Sequence, residues 1–430
     1  MSGRSSAPSL SDLQRDPPRE APVLERLPHL SFAIWFPLVV FTATRVIDAL
    51  LILIAARHQI ALSGLIDGYH VTLPSPAAPG YSTVAANWDG QWYLSIATHG
   101  YPSVIPRDAA GHVVQNAWGF YPAYPFLVGA LMRVTGLGFT VAAPILSFLL
   151  GGAAVVVMFR LVNQTAGRFA ASATVVLVSA SMAAPVMQIA YTESLALLLL
   201  CTALLLLRNR HYGWLIPILM MLALTRAIAL AFVPILVVHY ISRYRRRLAE
   251  PFPRVDQWHV AGVACFAVAV TGLWPVIAAI TTHDPVAYTE TMSSWGGTTG
   301  KLQVLIAFPT FAWAKFGVLG LVGLLCIISM TAAIALRRQA SAWGPEVRAW
   351  AGFYPFYLLL ATPAGSSNIR HLFLAFPLMW PFPEEANSRS DRIRRLVMVA
   401  FLATCGLLMQ WVWISKFLVI AGPPDTRPFP

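Results

Sequence analysis

Long apolar stretches separated by short polar connections make up most of the chain, and their lengths set the architecture. Residues 31–56 form a first apolar run, followed by runs near 119–136, 139–162, 169–186, 188–207 and 212–240. Later runs lie near 258–281, 303–336, 349–362, 369–382 and 396–420. A helix needs about 20 apolar residues to cross a hydrocarbon core, so the pattern predicts an all-α polytopic membrane protein with about 10–12 spans. A membrane β-barrel would show alternation over roughly 10-residue segments, a pattern this chain lacks. Thr225-Arg226 interrupts the 212–240 run, which is either one long span with a buried arginine or two half-spans meeting at a polar point. The topology of 119–240 stays open at this stage, because the arginines flanking successive runs there are comparable.

The longest polar-rich connection covers 57–118 and holds Asn87-Trp88-Asp89-Gly90-Gln91-Trp92-Tyr93. Trp88, Trp92, Tyr93, Ile96 and Ala97 fall near helical spacing, which predicts a short helix lying at the membrane interface with Trp92 and Tyr93 as anchors before sugar platforms. Two prolines in Phe120-Tyr121-Pro122-Ala123-Tyr124-Pro125 predict an irregular, aromatic entry to the next helix. In the first span, Arg45 and Asp48 share a helical face. They are either an internal ion pair that orients the helix or part of a polar cavity.

Composition agrees with this picture. Of 430 residues, 57% are hydrophobic and 11% charged, against about 25% charged in a soluble domain; the mean hydropathy is +0.65. The net charge of +12 comes almost wholly from arginine, with lysine only at Lys301, Lys315 and Lys416. Arginines at 243–247, at 337, 338 and 348, and at 389–395 mark cytoplasmic loops, which places 282–302 and 363–370 on the outer side with Asp89. No basic surface domain exists to bind nucleic acid. The four cysteines lie inside apolar runs without metal-ligand spacing and read as packing residues. Residues 1–30 read as a disordered cytoplasmic tail without a cleavable signal peptide, 31–421 as a single membrane domain, and 422–430 as a short tail.

The outer side then collects Asp89, His99, Glu193, His283, Asp284, Glu290, Lys301, Arg370 and His371. A polyprenyl-phosphate-linked sugar fits this set. Its tail needs an apolar groove, its phosphate a cation, and the acceptor hydroxyl a carboxylate to take its proton. Asp89 is the candidate base, with an N-cap of the interfacial helix as its structural alternative. Arg370, Arg226, Lys301 and His371 are candidates for the donor phosphate. Arg226 is otherwise a structurally paired arginine, Arg370 an interfacial one, and the two histidines His99 and His371 hydrogen-bonded structural groups. Trp88, Trp92, Tyr93, His99, Tyr121, Glu193 and Glu290 are candidates for substrate contact. No metal or other cofactor is expected, although a divalent cation is not excluded.

The run from Asn87 through Tyr101, with Ile96-Ala97-Thr98-His99-Gly100-Tyr101, followed by Phe120 to Pro125, resembles the phosphatidylinositol-glycan class V mannosyltransferases and their bacterial relatives. Tyr191-Thr192-Glu193-Ser194-Leu195 and Thr225-Arg226 are similar to family segments in the same order. So are Tyr288-Thr289-Glu290-Thr291 with Trp295-Gly296, and Arg370-His371-Leu372 before Phe376-Pro377. The resemblance spans roughly residues 45–380. It implies a GT-C glycosyltransferase fold, an active site on the non-cytoplasmic face and polyprenyl-phosphate mannose as donor. It also implies an acid in the first outer loop, where Asp89 stands. Family acids often come as a close pair, whereas here Gly90 follows, so Asp89 would act alone. Partners would be the lipid-linked donor, a glycolipid or glycan acceptor and membrane lipids. The arginine-over-lysine bias points to a bacterial plasma membrane. The alternatives are glucose or arabinose as the sugar, and a lipid-carrier flippase whose path is lined by Arg45, Asp48, Glu193 and Arg226.

Overall fold

The computed structural model describes residues 31–63, 69–295, 303–382, 388–422 and 430. The proposed tail at 1–30, most of that at 422–430, and Lys301 lie outside the described residues. The helices in order are α1 (Phe32–Ala56), α2 (Tyr81–Val84), α3 (Asp89–His99), α4 (Ala123–Thr135) and α5 (Phe139–Ala180). Then come α6 (Glu193–Arg208), α7 (Tyr212–Ala223), α8 (Val233–Arg245), α9 (Arg254–Thr271) and α10 (Leu273–Thr282). The last are α11 (Ala287–Ser294), α12 (Gln303–Leu336), α13 (Gly344–Ala361), α14 (Asn368–His371) and α15 (Arg389–Trp413). Among the described residues, five segments are long and apolar enough to cross a membrane: Phe32–Ala56, Phe139–Ala180, Arg254–Thr282, Ile306–Leu336 and Arg389–Leu418. The all-α, multi-pass architecture follows. Among the described residues the only β pairing is two isolated bridges, Leu62 with Ser75 and Arg107 with Val113.

The interior is built by α5, which packs against α1, α6 and α15. Gly167 breaks α5 at φ 81°. Arg168 lies 3.6 Å over the Phe32 ring at the start of α1, whereas Ser147 bonds Tyr124 at 2.7 Å and the Tyr191 carbonyl at 3.4 Å. Residues 139–147 and 188–191 therefore share one end, and the chain reverses at Gly167. This gives the two apolar runs expected near 139–162 and 169–186. The 212–240 run is two half-helices, α7 and α8, separated at Leu224 to Phe232 with Arg226 in the gap. The run at 369–382 is not a span. It folds into α14 and two 3-10 turns (Leu372–Leu374 and Phe376–Met379), because Pro377 and Pro381 cannot continue a helix ladder.

The arginine-rich ends of α8, α12 and α15 stand about a helix length from the residues that turn out to form the site. Arg226 precedes α8, Arg370 follows α13, and Leu418 ends the π turn that follows α15. Much of α12 exposes apolar side chains, among them Phe316, Leu319, Leu325 and Ile327. That is the expected surface of a helix facing lipid.

Candidate functional site

Each residue of the first-loop motif has a definite structural task. Trp88 takes a left-handed backbone, φ 56°, a conformation costing roughly 1–3 kcal/mol in a non-glycine residue. It is held by its N–H donating to the Tyr69 hydroxyl at 3.0 Å and by Nε1 donating to the Leu418 carbonyl at 3.0 Å. Asn87 Nδ2 donates to Gln59 Oε1 at 2.7 Å and to the Leu418 carbonyl at 3.1 Å. Gln91 Oε1 accepts from the N–H groups of Thr72 and Leu73, each at 2.8 Å. The loop is thereby tied to the end of α15 and to its own upstream half. Gly90 allows the start of α3 to approach residue 190, since a Cβ there would stand 3.2 Å from the Ala190 Cβ. A second acid beside Asp89 would meet the same wall.

Trp88 occupies the N-cap position and Asp89 is the first residue of α3, so the N-cap alternative fails. Asp89 Oδ2 instead accepts from Arg370 Nη2 at 2.6 Å. Arg370 Nη1 donates to Glu193 Oε1 at 3.0 Å, and the same oxygen accepts from Arg226 Nη1 at 2.5 Å. Four chain segments thus converge in an alternating row, Asp89, Arg370, Glu193, Arg226. Glu193 is fully buried at the first turn of α6, where the positive end of the helix dipole favours a carboxylate. It separates two guanidiniums that would otherwise repel. Arg370 also donates from Nε to the Pro430 carbonyl at 3.1 Å and stacks over the Tyr191 ring at 5.0 Å. Tyr354 donates its hydroxyl to the His371 carbonyl at 2.8 Å, and Tyr357 donates to the Ala227 carbonyl in the break between α7 and α8.

The row borders a cavity of about 530 Å³. Asp89, Arg226, Arg370 and His371 line it together with Trp88, Trp92, Tyr93 and Tyr121. Glu193 is absent from the lining; it holds the arginines from behind instead of meeting a substrate. Tyr121 shares a hydrogen bond with Tyr288 at 2.8 Å. Trp92 and Tyr93 are not lipid-facing anchors. Both are buried, Trp92 stacked on His70 at 3.7 Å and Tyr93 edge-on to Phe120 and Tyr124. Glu290 and His99 stand apart from this cavity. Glu290 pairs with Arg107 at 2.7 Å, and His99 accepts or donates at Nδ1 to Thr98 at 2.8 Å. Arg45 and Asp48 pair with each other at 2.8 Å, and Arg45 also donates to the carbonyls of Ser179 and Ala184. They form an internal ion pair away from the cavity.

Asp89 is a carboxylate with one oxygen held and the other, Oδ1, without a hydrogen bond to any described residue. Burial raises its pKa above the ordinary value, opposed chiefly by the Arg370 guanidinium. A group so placed can take a proton without losing its fixed geometry. At the far end Arg226 uses only Nη1 on Thr192 and Glu193, which leaves charged donors directed at the cavity for an anion. Sequence reasoning missed the lining by Tyr69, His70, Tyr354 and Tyr357. Their positions in apolar or loop sequence carry no local signal of convergence. Among the described residues no group of three or more His, Cys, Asp or Glu side chains is placed to hold a metal ion.

No protein-family model and no curated protein matches the chain. Among solved structures it is similar to the archaeal oligosaccharyltransferase AglB from Archaeoglobus fulgidus, in complex with an inhibitory peptide and a dolichol-phosphate. The TM-score there is 0.49 at 12% identity, covering 90% of this chain and 56% of that one. It is also similar to ArnT from Cupriavidus metallidurans bound to undecaprenyl phosphate. That TM-score is 0.48 at 15% identity, covering 89% of this chain and 69% of that one.

Proposed function

We propose that the chain is a GT-C-type inverting glycosyltransferase, with Asp89 as general base and the two arginines as the anion site for a polyprenyl-phosphate sugar. The observation that carries the reading is the row Asp89–Arg370–Glu193–Arg226 along one cavity. In the step, the acceptor hydroxyl passes its proton to Asp89 Oδ1 as its oxygen attacks the anomeric carbon. The bond from that carbon to the phosphate oxygen breaks, and its electron pair leaves with the lipid phosphate. The guanidiniums of Arg226 and Arg370 stabilise that charge as it grows. Attack and departure on opposite faces invert the anomeric centre. No metal is required by this scheme, because guanidinium charge meets the leaving group.

The resemblance to the class V mannosyltransferases supports mannose as the sugar and a hydroxyl of a glycolipid or cell-envelope glycan as acceptor. The arginine clusters support an active site outside the cytoplasm, in a bacterial plasma membrane. The test is transfer of radiolabelled sugar from polyprenyl-phosphate mannose by the protein in membranes, with polyprenyl-phosphate glucose and arabinose as competitors. Wild type transfers mannose and Asp89→Asn does not. Normal transfer by Asp89→Asn overturns the assignment of the base, and preferred transfer of another sugar overturns the donor.

A further inference from the structure

Beside the first cavity lies a second, of about 420 Å³, within the roughly 300–1,000 Å³ of small-molecule sites. The two share His70, Trp92 and Gln115. The stacked His70 and Trp92 rings therefore border both cavities. Trp92, Ser95 and His99 follow one face of α3, the face that begins with Asp89. Ser95 stands about 9 Å along the helix axis from Asp89 and His99 about 15 Å, at 1.5 Å rise per residue.

The chemistry of this lining is specific in kind. Among the described residues, no Asp, Glu, Lys or Arg belongs to it. Asn116 is committed to the fold, bonding Trp118, Val114 and Thr291. Ser95 Oγ and the Gln115 amide have no hydrogen bond to any described residue, and His99 is engaged only through Nδ1. Hydroxyl, amide and imidazole groups can each pair with a sugar hydroxyl. Among these described residues an anionic ligand would find no arginine or lysine, and a cationic one no carboxylate. Tyr101 and Trp92 add aromatic surface. Burial lowers the His70 pKa, which favours its neutral form.

We infer that the second cavity is the acceptor subsite and takes the neutral sugar residues of a glycan, laid along α3 so that its reactive hydroxyl reaches Asp89. This rests on the reading of Asp89 as the base. Purified protein in lipid nanodiscs is irradiated with a diazirine-bearing dimannoside, and the adducts are mapped by mass spectrometry. Adducts on residues 95–117, competed by free mannobiose and lost in Ser95→Phe, are expected. Adducts elsewhere, or equal competition by a glucuronide or a serine-containing peptide, overturn it. In turnover, His99→Ala raises the acceptor KM at least 10-fold with the donor KM unchanged; an unchanged acceptor KM overturns it. Undecaprenyl phosphate binding, read by native mass spectrometry, is retained in both variants. If wild type binds no such lipid, the transferase reading fails, while the cross-link still decides what the cavity holds.

Discussion

Two buried arginine–aspartate pairs in this molecule do opposite things. Arg45 and Asp48 sit three residues apart on α1, 2% and 0% exposed, at 2.8 Å. Both are sealed inside the protein, and Arg45 also donates from its two Nη atoms to backbone carbonyls, while its Nε has no partner among the described residues. Asp89 and Arg370 are 281 residues apart and at 2.6 Å, and their carboxylate is 19% exposed to a cavity. The first pair neutralises two charges where lipid and helix leave no water. The second opens its carboxylate to a cavity and shares its arginine with Glu193. A local pair can be completed by its own helix, whereas a pair assembled over distance can be opened at one edge to a ligand.

Removing the carboxylate from each pair gives the widest contrast. Asp89→Asn is expected to lower turnover by about 10²–10⁴, the usual worth of a positioned base, with an unfolding midpoint close to wild type. Asp48→Asn leaves Arg45 buried and uncompensated, a change worth about 3–5 kcal/mol. Its unfolding midpoint in detergent falls, while the folded fraction keeps its turnover. Reversal of these two outcomes would exchange the roles of the pairs.

Glu193→Gln tests whether the row acts as a unit. The two arginines lose their common counter-charge, so donor affinity and thermal midpoint are expected to fall together, more than in Arg226→Gln alone. A drop in turnover with unchanged donor affinity would instead make Glu193 a contact to substrate. The pH profile gives a smaller effect with a fixed sign. Asp89 works deprotonated, so the rate is held above its pKa and lost as pH falls through it. Arg370 lowers that pKa against burial, so Arg370→Gln moves the acid limb to higher pH. A shift the other way would remove Asp89 from the titration.

The smallest effect is expected at Arg107, which pairs with Asp284 at 3.3 Å and Glu290 at 2.7 Å while 40% exposed. Exposed pairs contribute about 0–1 kcal/mol. Arg107→Ala and Glu290→Gln should leave turnover within twofold, measured in the same transfer assay. A large loss in Glu290→Gln would return that acid to the substrate.

Much of this was legible in the chain because the bilayer imposes a length on apolar helix and a price in charge on each loop. The runs at 31–56, 139–162, 169–186 and 396–420, and the lone Asp89 in an aromatic loop, could be read directly. The sequence also carried Glu193, Arg226 and Arg370 as polar residues in apolar surroundings, which is why they were candidates at all. Their partners were not legible. The 369–382 run has the hydropathy of a span, yet its prolines fold it into turns that deliver Arg370 to Asp89. Trp92 and Tyr93 have the composition of interface anchors, yet packing against His70, Phe120 and Tyr124 turns them inward. Hydropathy along one chain reports how each segment meets lipid. Which charges meet each other depends on contacts 33 to 281 residues apart in the hydrogen-bonded row, and only the packed bundle brings those together.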